Sequence, residues 1–394
     1  MGFSQALSGL SAAATNLDVI GNNIANSQTV GFKGASVQFS DVYAGAQFGL
    51  GTKVSAVLQD FSDGTLETTN RNMDLAISGN GFFRFEQNEQ VVYSRNGQLT
   101  VSNDGYLVNA QGGQLTGYPA DVGAGGNPQR LKVPAGALQA NASTSIQASL
   151  NLDAGSAVID RNTVPFDMAD SSSYSYANSG IVYDSLGHTH NVTLYFTRTG
   201  DSQWEVRQAR GSEVATQTGT LEFNKDGTLA SATGMEDFTF SPGGGAAELK
   251  LDLGFAGSTQ FGNDFELNSL TQDGFSSGSL VGVVIDNKGN VVGNYSNEQS
   301  KVLGTIVLAS FNNPEGLTPV GDNAWAETNA SGAALMGLAG AGLFGSIEAG
   351  AVETSNVDLT SELVKLIIAQ RNYQANSQTI KTQDEVLQAS INLR

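Results

Sequence analysis

The end of the chain is the feature that most limits what it can fold into. No glycine or proline follows Asp358, although the chain contains 48 glycines. Asp358 is placed to cap a helix, and Glu362 suits the positive end of the helix dipole. Apolar residues recur in this tail with the seven-residue spacing of a coiled helix. They are Leu363, Leu366, Tyr373, Ile380, Leu387 and Ile391. The tail therefore predicts one long helix with an apolar seam.

That seam is incomplete, because Gln370, Ser377 and Asp384 also fall on it, so the helix needs a partner. The start of the chain repeats the same spacing with Phe3, Leu7, Leu10, Leu17 and Ile24, and a second helix is predicted to end near residues 21–26. A two-helix hairpin buries only one side of each stripe, while fixing each backbone residue costs about 1–2 kcal/mol. We therefore expect both termini to become ordered only when neighbouring copies cover them. An ordinary helical hairpin packed on its own domain is the alternative.

Composition excludes several classes of function. The formal net charge is −19, which argues against nucleic acid or an anionic membrane as a partner. There is no cysteine, which excludes disulfides and thiolate metal sites. No run of 18 apolar residues exists, so membrane insertion is not expected. The first residues lack the basic and apolar segments of a signal peptide, and we expect any export to proceed without a cleaved leader.

The middle of the chain alternates β-prone runs with tight turns. Phe82 to Val108 contains four such runs, which predict a β-meander. A second β segment begins near Ser145, and from Gly282 the pattern of the first segment returns. This order predicts a domain inserted into a loop of another.

The predicted fold class is mixed and mainly β, with two β-rich domains, the second inserted in the first, and paired terminal helices that form a coiled-coil-like domain. The predicted segments are 1–30 and 356–394 for the helices, 31–70 for an extended connector, 71–145 and 285–355 for the inner β domain, and 146–284 for the inserted outer domain.

Few residue patterns suggest chemistry. His188 and His190 would share one face of a strand, which leaves a two-histidine metal site or a solvated strand edge as alternatives. The string from Gly340 to Gly345 matches a dinucleotide-binding pattern, but no βαβ unit surrounds it. No catalytic motif is present. We expect no enzyme activity, no cofactor and no bound metal.

Two terminal motifs carry a resemblance. The first comprises Asn22, Asn23, Ile24, Ala25 and Asn26, followed by Gly31, Phe32 and Lys33. The second runs from Ser355 to Asp384 and includes Gln370, Arg371, Asn372 and Tyr373. Together they resemble the N- and C-terminal signatures of the bacterial flagellar axial proteins, the family of rod, hook and hook-associated subunits. Chain length and the inserted second β domain make the chain most similar to members that form the hook.

The resemblance implies a structural subunit of a curved, flexible tubular polymer that lies outside the cell and transmits torque from rod to filament. It also implies terminal helices that line the inner tube, and partners that comprise other copies of the chain, distal rod and hook–filament junction proteins, the hook cap and the flagellar type III export apparatus. A distal rod subunit and a secreted β-rich adhesin or enzyme are the alternatives.

Overall fold

The computed structural model describes residues 2–42, 51–123 and 125–392, and it places them in two compact units. Unit 1 comprises residues 1–135, 282–294 and 300–394, and unit 2 comprises residues 136–281 and 295–299. The mainly β fold with one helix at each end of the chain is confirmed. The domain boundaries given above and the coiled-coil character stay predictions. Neither described helix contains a segment that is long and apolar enough to span a membrane.

Two long helices lie near the two ends of the sequence. They are α1 (Gly2–Ala25) and α2 (Leu359–Asn392), and they pack against each other. Asp358 caps α2 as predicted, because its carboxylate accepts a hydrogen bond from the backbone N–H of Thr360 at 2.9 Å. The N-terminal helix ends within the predicted cluster of glycine and asparagine.

The predicted extended connector contains an antiparallel pair of strands. It holds β1 (Ala35–Asp41), β2 (Thr52–Gln59) and β3 (Leu66–Thr68). Strands β1 and β2 pack on α1, and the side-chain oxygen of Ser8 accepts a hydrogen bond from the backbone N–H of Thr52 at 3.2 Å. Strands β1 and β2 and the two helices together form what we call the helical base.

The β part of unit 1 begins with eight short strands. They are β4 (Asp74–Ser78), β5 (Phe82–Gln87), β6 (Gln90–Ser94), β7 (Gly97–Gln98), β8 (Thr100–Val101), β9 (Leu107–Val108), β10 (Gln114–Pro119) and β11 (Gln129–Arg130). It resumes with β23 (Leu280–Ile285), β24 (Asn290–Tyr295), β25 (Ser300–Ser310), β26 (Thr318–Gly321), β27 (Ala324–Ala326), β28 (Leu335–Leu338), β29 (Ser346–Ala349) and β30 (Ala351–Glu353).

Unit 1 mixes strands from both ends of the sequence. Its largest sheet has the order β23-β24-β25-β10-β5-β6-β27-β26, while β29-β4-β7 and β3-β30 form smaller sheets. Phe82, Tyr93, Phe311 and Trp325 pack edge-to-face in its core. The prediction of one continuous β-meander from Phe82 to Val108 is wrong, because not every strand pairs with the next strand in sequence. The pairs β5–β6 and β8–β9 are hairpins, but β6 continues the sheet with β27.

Unit 2 contains strands β12 to β22. They are β12 (Ser145–Asp153), β13 (Tyr176–Tyr183), β14 (Thr189–Arg198), β15 (Gln203–Arg210), β16 (Glu213–Val214), β17 (Gly219–Phe223), β18 (Leu229–Thr233), β19 (Phe238–Phe240), β20 (Leu249–Gly254), β21 (Thr259–Phe261) and β22 (Glu266–Gln272). One sheet has the order β13-β14-β15-β17-β18, and the other has β19-β20-β12-β21 with β22 also paired to β12. Leu150, Phe196, Trp204 and Leu251 belong to a single core, so the two sheets pack face to face.

Candidate self-assembly surface

The two helices run antiparallel and approach through small residues. Asn23 near the end of α1 contacts Glu362 at the start of α2, and Gly9 lies against Asn376. A Cβ atom added at Gly9 would lie 3.0 Å from the Asn376 side-chain amide. The buried apolar residues of the pair are Ala6, Ala12, Ala13, Ile20 and Ala369. Small side chains therefore set the close separation of the helices.

Five of the ten seam residues with described side chains are exposed in this helix pair. Leu10, Leu17, Ile24, Leu366 and Ile380 are half-buried, whereas Phe3, Leu7, Leu363, Tyr373 and Leu387 are exposed. The side chain of Ile391 lies outside the described residues. The buried residues of α1 include Ala6, Ala13 and Ile20, which have the predicted seven-residue spacing but in a different register. The seam thus remains available, and its role in self-assembly stays a prediction.

The helix α2 also exposes apolar residues that the seam did not include. They are Leu359, Val364, Ile367, Ile368 and Val386. Val364, Ile367 and Ile368 lie outside the heptad stripe, so the apolar surface of α2 covers more than one face. A helix that is apolar on several faces is normally buried in a larger assembly. The four-residue spacing of Val364 and Ile368 was the signal that could have identified this second stripe.

A groove follows the helix pair beside strand β1. Its cavity volume is about 330 Å³, and its lining includes Ala12, Ala13 and Ala369 with the larger side chains of Phe39 and Asn372. Phe39 is 48% exposed. The groove is thus a concave part of the same surface, lined by small apolar residues, by Phe39 and by the polar side chains of Asn16, Thr52 and Asn376.

The terminal signature residues meet beneath this surface. The Asn23 side chain donates to the carbonyl of Ala35 at 2.8 Å and accepts from its N–H at 3.0 Å. The Asn356 side chain accepts from the N–H of Gly34 at 2.8 Å and donates to the carbonyl of Asp60 at 2.8 Å. These amides pair with the backbone as a strand would, and they join α1, β1 and the start of α2.

The turn from Asn22 to Lys33 closes on itself and on the β part. The Asn26 side chain donates to the carbonyl of Asn22 at 3.0 Å and accepts from the Thr29 hydroxyl at 3.1 Å. Gly31 has φ +70°, and a Cβ there would lie 2.6 Å from the backbone nitrogen of Asn96. Only glycine fits this position. Ile24 and Phe32 are half-buried, and Ala25 is exposed.

Lys33 is fully buried and ion-paired. Its Nζ lies 2.7 Å from Oε1 of Glu353, which is also fully buried. Burial lowers the pKa of Lys33, and the hydrogen bond to Glu353 offsets only part of that effect. By contrast, the C-terminal signature residues Gln370, Arg371, Asn372 and Tyr373 are exposed on α2. Part of the signature, including Lys33, therefore lies in a buried junction, and residues 370–373 lie on an exposed face of α2.

The two histidines of unit 2 share a carboxylate. Nε2 of His190 lies 2.8 Å from Oδ2 of Asp184, and Nδ1 of His188 lies 3.4 Å from it. Burial would raise the pKa of Asp184, but hydrogen bonds from His190 and from the N–H groups of His188 and Leu186 outweigh it and lower the pKa to about 2. Among the described residues, no group of three or more His, Cys, Asp or Glu side chains could hold a metal ion. The side chain of His188 is 71% exposed, as expected for a solvated strand edge, whereas that of His190 is only 16% exposed.

The glycine string near the end of unit 1 forms a turn. Gly340 and Gly345 close the loop between β28 and β29 through a backbone hydrogen bond of 2.9 Å. Gly340 and Gly342 have φ of +73° and +61°. The string therefore serves a left-handed turn between two strands.

Comparison with known proteins identifies the family. The chain is 48% identical to the flagellar hook protein of Salmonella typhimurium and 46% identical to that of Escherichia coli, each over the whole of both chains. The chain belongs to the flagellar hook protein family. It is therefore a structural component of the bacterial flagellar hook, as the terminal motifs and the length predicted.

Four family descriptions match successive parts of this hook-family chain. They are the flagella basal body rod protein over residues 4–33, the flagellar hook protein D1 domain over 76–149, the flagellar basal body protein D2 domain over 151–275 and the flagellar basal body rod C-terminal region over 348–393. The fold is similar to a crystal structure of a Helicobacter pylori flagellar hook protein, with a TM-score of 0.56 at 14% identity over 73% of this chain and all of that one.

Proposed function

We propose that copies of this chain polymerise into a tubular hook by covering one another's terminal helices. The observation that carries the proposal is the apolar surface of α2, where Leu363, Ile367, Ile368 and Leu387 are each more than 40% exposed. Apolar area removed from water favours association at roughly 25 cal/mol per Å². Because the exposed residues lie on several faces of the helix, one chain contacts more than one neighbour.

The contacts between copies are head-to-tail and do not close. Such heterologous contacts generate an open helical polymer rather than a ring when the rotation between copies does not close. In this proposal the terminal helices form the inner tube and resist twist, while the acidic outer segment of residues 146–284 makes sparse polar contacts that slide as the polymer bends. This division permits a curved polymer that transmits torque from rod to filament.

The proposed partners follow from position in the polymer. The first copies contact the distal rod, the last contact the hook–filament junction proteins, and growth takes place beneath a hook cap. The chain reaches this site through the flagellar type III export apparatus without cleavage of a leader. The absence of cysteine from the sequence suits transit as an unfolded chain.

Truncation of α1 tests the proposal. Removal of residues 1–30 takes away half of the helix pair, so we expect a soluble protein that forms no filaments at concentrations where the full chain polymerises. Electron microscopy of both proteins at matched concentration provides the readout. Wild-type-like filaments from the truncated chain would overturn the proposal.

A further inference from the structure

One buried carboxylate in unit 1 binds two buried cations. Glu353, the last residue of β30, accepts Lys33 Nζ on Oε1 at 2.7 Å and Arg95 Nη1 on Oε2 at 3.2 Å. The side chains of Glu353, Lys33 and Arg95 are 0%, 1% and 3% exposed. The N–H of Gly64 also donates to Oε1 at 2.8 Å. Charge-assisted hydrogen bonds of this kind are stronger than neutral ones, and their directions are fixed by geometry.

The partners of Glu353 come from different parts of unit 1. Lys33 belongs to the helical base, between α1 and β1, whereas Arg95 lies between β6 and β7 in the β part. The helical base is joined covalently to the β part only by residues 60–65 and 354–358. Gly64 lies in the first of these crossings, and Asp63 beside it pairs with Arg95 at 3.2 Å. The carboxylate therefore connects the base, one crossing and the sheets at a single point.

Neutral hydrogen bonds surround this point. Gly31 N–H donates to the backbone carbonyl of Glu353 at 2.8 Å, and Asn356 bridges Gly34 and Asp60. The base is also joined to the β part by the Asn323 side chain, which donates to the carbonyl of Val30 at 3.2 Å, and by the Trp325 indole N–H, which donates to the side chain of Gln59. These bonds are neutral, whereas the contact through Glu353 is ionic. The Lys33–Glu353 pair is the ionic contact that runs from the helical base to the sheets among the described residues.

We infer that Glu353 is a positioning residue that fixes the orientation of the helical base on the β sheets of unit 1, acting through Lys33 and Arg95. A buried carboxylate that accepts hydrogen bonds from two cations holds both in one geometry, and small rotations of the base would break the buried Lys33 contact. The inference concerns the rigidity of the single chain and does not depend on how copies associate.

Distance measurements between spin labels test this inference on the full chain, which has no native cysteine. One label pair, Gln374→Cys with Thr100→Cys, spans α2 and β8. A second pair, Thr100→Cys with Val320→Cys, lies within the β part. All three sites are on exposed residues. Double electron–electron resonance on dilute monomer gives the distance distribution for each pair in the parent chain, in Lys33→Met and in Glu353→Gln.

We expect both variants to widen the helix-to-sheet distribution by about twofold while the distribution within the sheets stays unchanged. The matched control is Arg130→Met, which removes an exposed ion pair with Glu86 and should widen neither. An unchanged helix-to-sheet distribution in both variants would overturn the inference. If Glu353→Gln also widens the Thr100–Val320 distance distribution, the result for Lys33→Met decides between the two interpretations. A wider Thr100–Val320 distribution in Lys33→Met would show that the network maintains the fold of the sheets, and it would overturn the inference.

Discussion

At the scale of single residues, both units bury polar groups, and not all of these groups are paired. In unit 1, Glu353 pairs with both Lys33 and Arg95, although Nε of Arg95 has no hydrogen-bond partner among the described residues. In unit 2, Gln208 on β15 is completely buried, and neither atom of its amide has a hydrogen-bond partner among the described residues. An unpaired buried polar group costs about 1–3 kcal/mol, so Gln208 is a weak point of the unit 2 core.

Replacement of Gln208 by an apolar side chain of similar size should stabilise unit 2. We expect Gln208→Met to increase the free energy of unfolding by about 1–2 kcal/mol, because the substitution removes the unpaired amide without leaving a cavity. The free energy of unfolding of unit 2 can be measured by denaturant titration followed by Trp204 fluorescence. A Trp325→Phe background removes the signal of the second tryptophan. The matched control is Gln203→Met at the exposed start of β15, which should change stability little. A destabilised Gln208→Met would show that the amide has a needed role.

The carboxylate of Asp184 should make unit 2 sensitive to acid. Its pKa in the folded chain is about 2, below the ordinary value of 3.8. A depressed folded pKa gives stability that is present above the unfolded pKa and is lost as pH falls from about 4 towards 2. The unfolding temperature of unit 2 should fall across this window, and Asp184→Asn should be less stable at neutral pH with a flatter profile. Parallel pH profiles for the two proteins would contradict this assignment.

At the scale of elements, the sequence revealed each helix but not the face through which the helices meet. Asp358 and the absence of later glycine correctly predicted the start of α2. The seam was predicted from large apolar residues, yet the buried residues of α1 include Ala6 and Ala13, and the close approach to α2 is at Gly9. Alanine gives little hydrophobic signal, so periodicity favours the bulkier stripe. The β6–β27 pairing and the Lys33–Glu353 pair were also beyond reach, because their partners lie more than 200 residues apart.

The close contact at Gly9 predicts an asymmetry between two helix glycines. Gly9→Val should weaken the α1–α2 contact, because its Cβ alone would lie 3.0 Å from the Asn376 side chain. Gly21→Val is the matched control, since nothing lies within 4 Å of a Cβ there. Valine forms helices slightly better than glycine, so the control should stabilise α1 by a few tenths of a kcal/mol. Amide hydrogen exchange across α1 reports both effects, and equal protection in the two variants would contradict the observed packing.

The exposed seam of α2 should be needed for polymerisation and dispensable for folding. Leu363→Asp and Leu387→Asp place a charge where neighbouring copies are proposed to contact, so filament formation should be lost. Both residues are more than 40% exposed, and the thermal unfolding of the monomer should therefore stay close to wild type. Thr233→Asp, an exposed polar site on β18 of unit 2, serves as control and should still form filaments. Light scattering follows assembly, and normal assembly by both leucine variants would exclude these residues from the interface.

At the scale of the whole molecule, unit 2 is a separate sandwich with its own core, so it is suited to replacement. Leu138 and Gly278 pair in an antiparallel bridge, with the N–H of Leu138 2.7 Å from the carbonyl of Gly278. A short glycine turn can therefore replace residues 139–277. We expect the shortened chain to polymerise with altered curvature or bending stiffness, measured by electron microscopy. Loss of all assembly would show that unit 2 is needed to form the tube.

The most direct test of the account is amide hydrogen exchange of residues 359–392 in dilute monomer and in assembled polymer. If neighbouring copies cover the helices, exchange along α2 should slow by roughly tenfold or more on assembly, most strongly around the exposed residues Leu363 to Ile368. Strands in the unit 2 core should exchange equally in both states. Equal protection of α2 before and after assembly would contradict the claim that polymerisation covers the terminal helices.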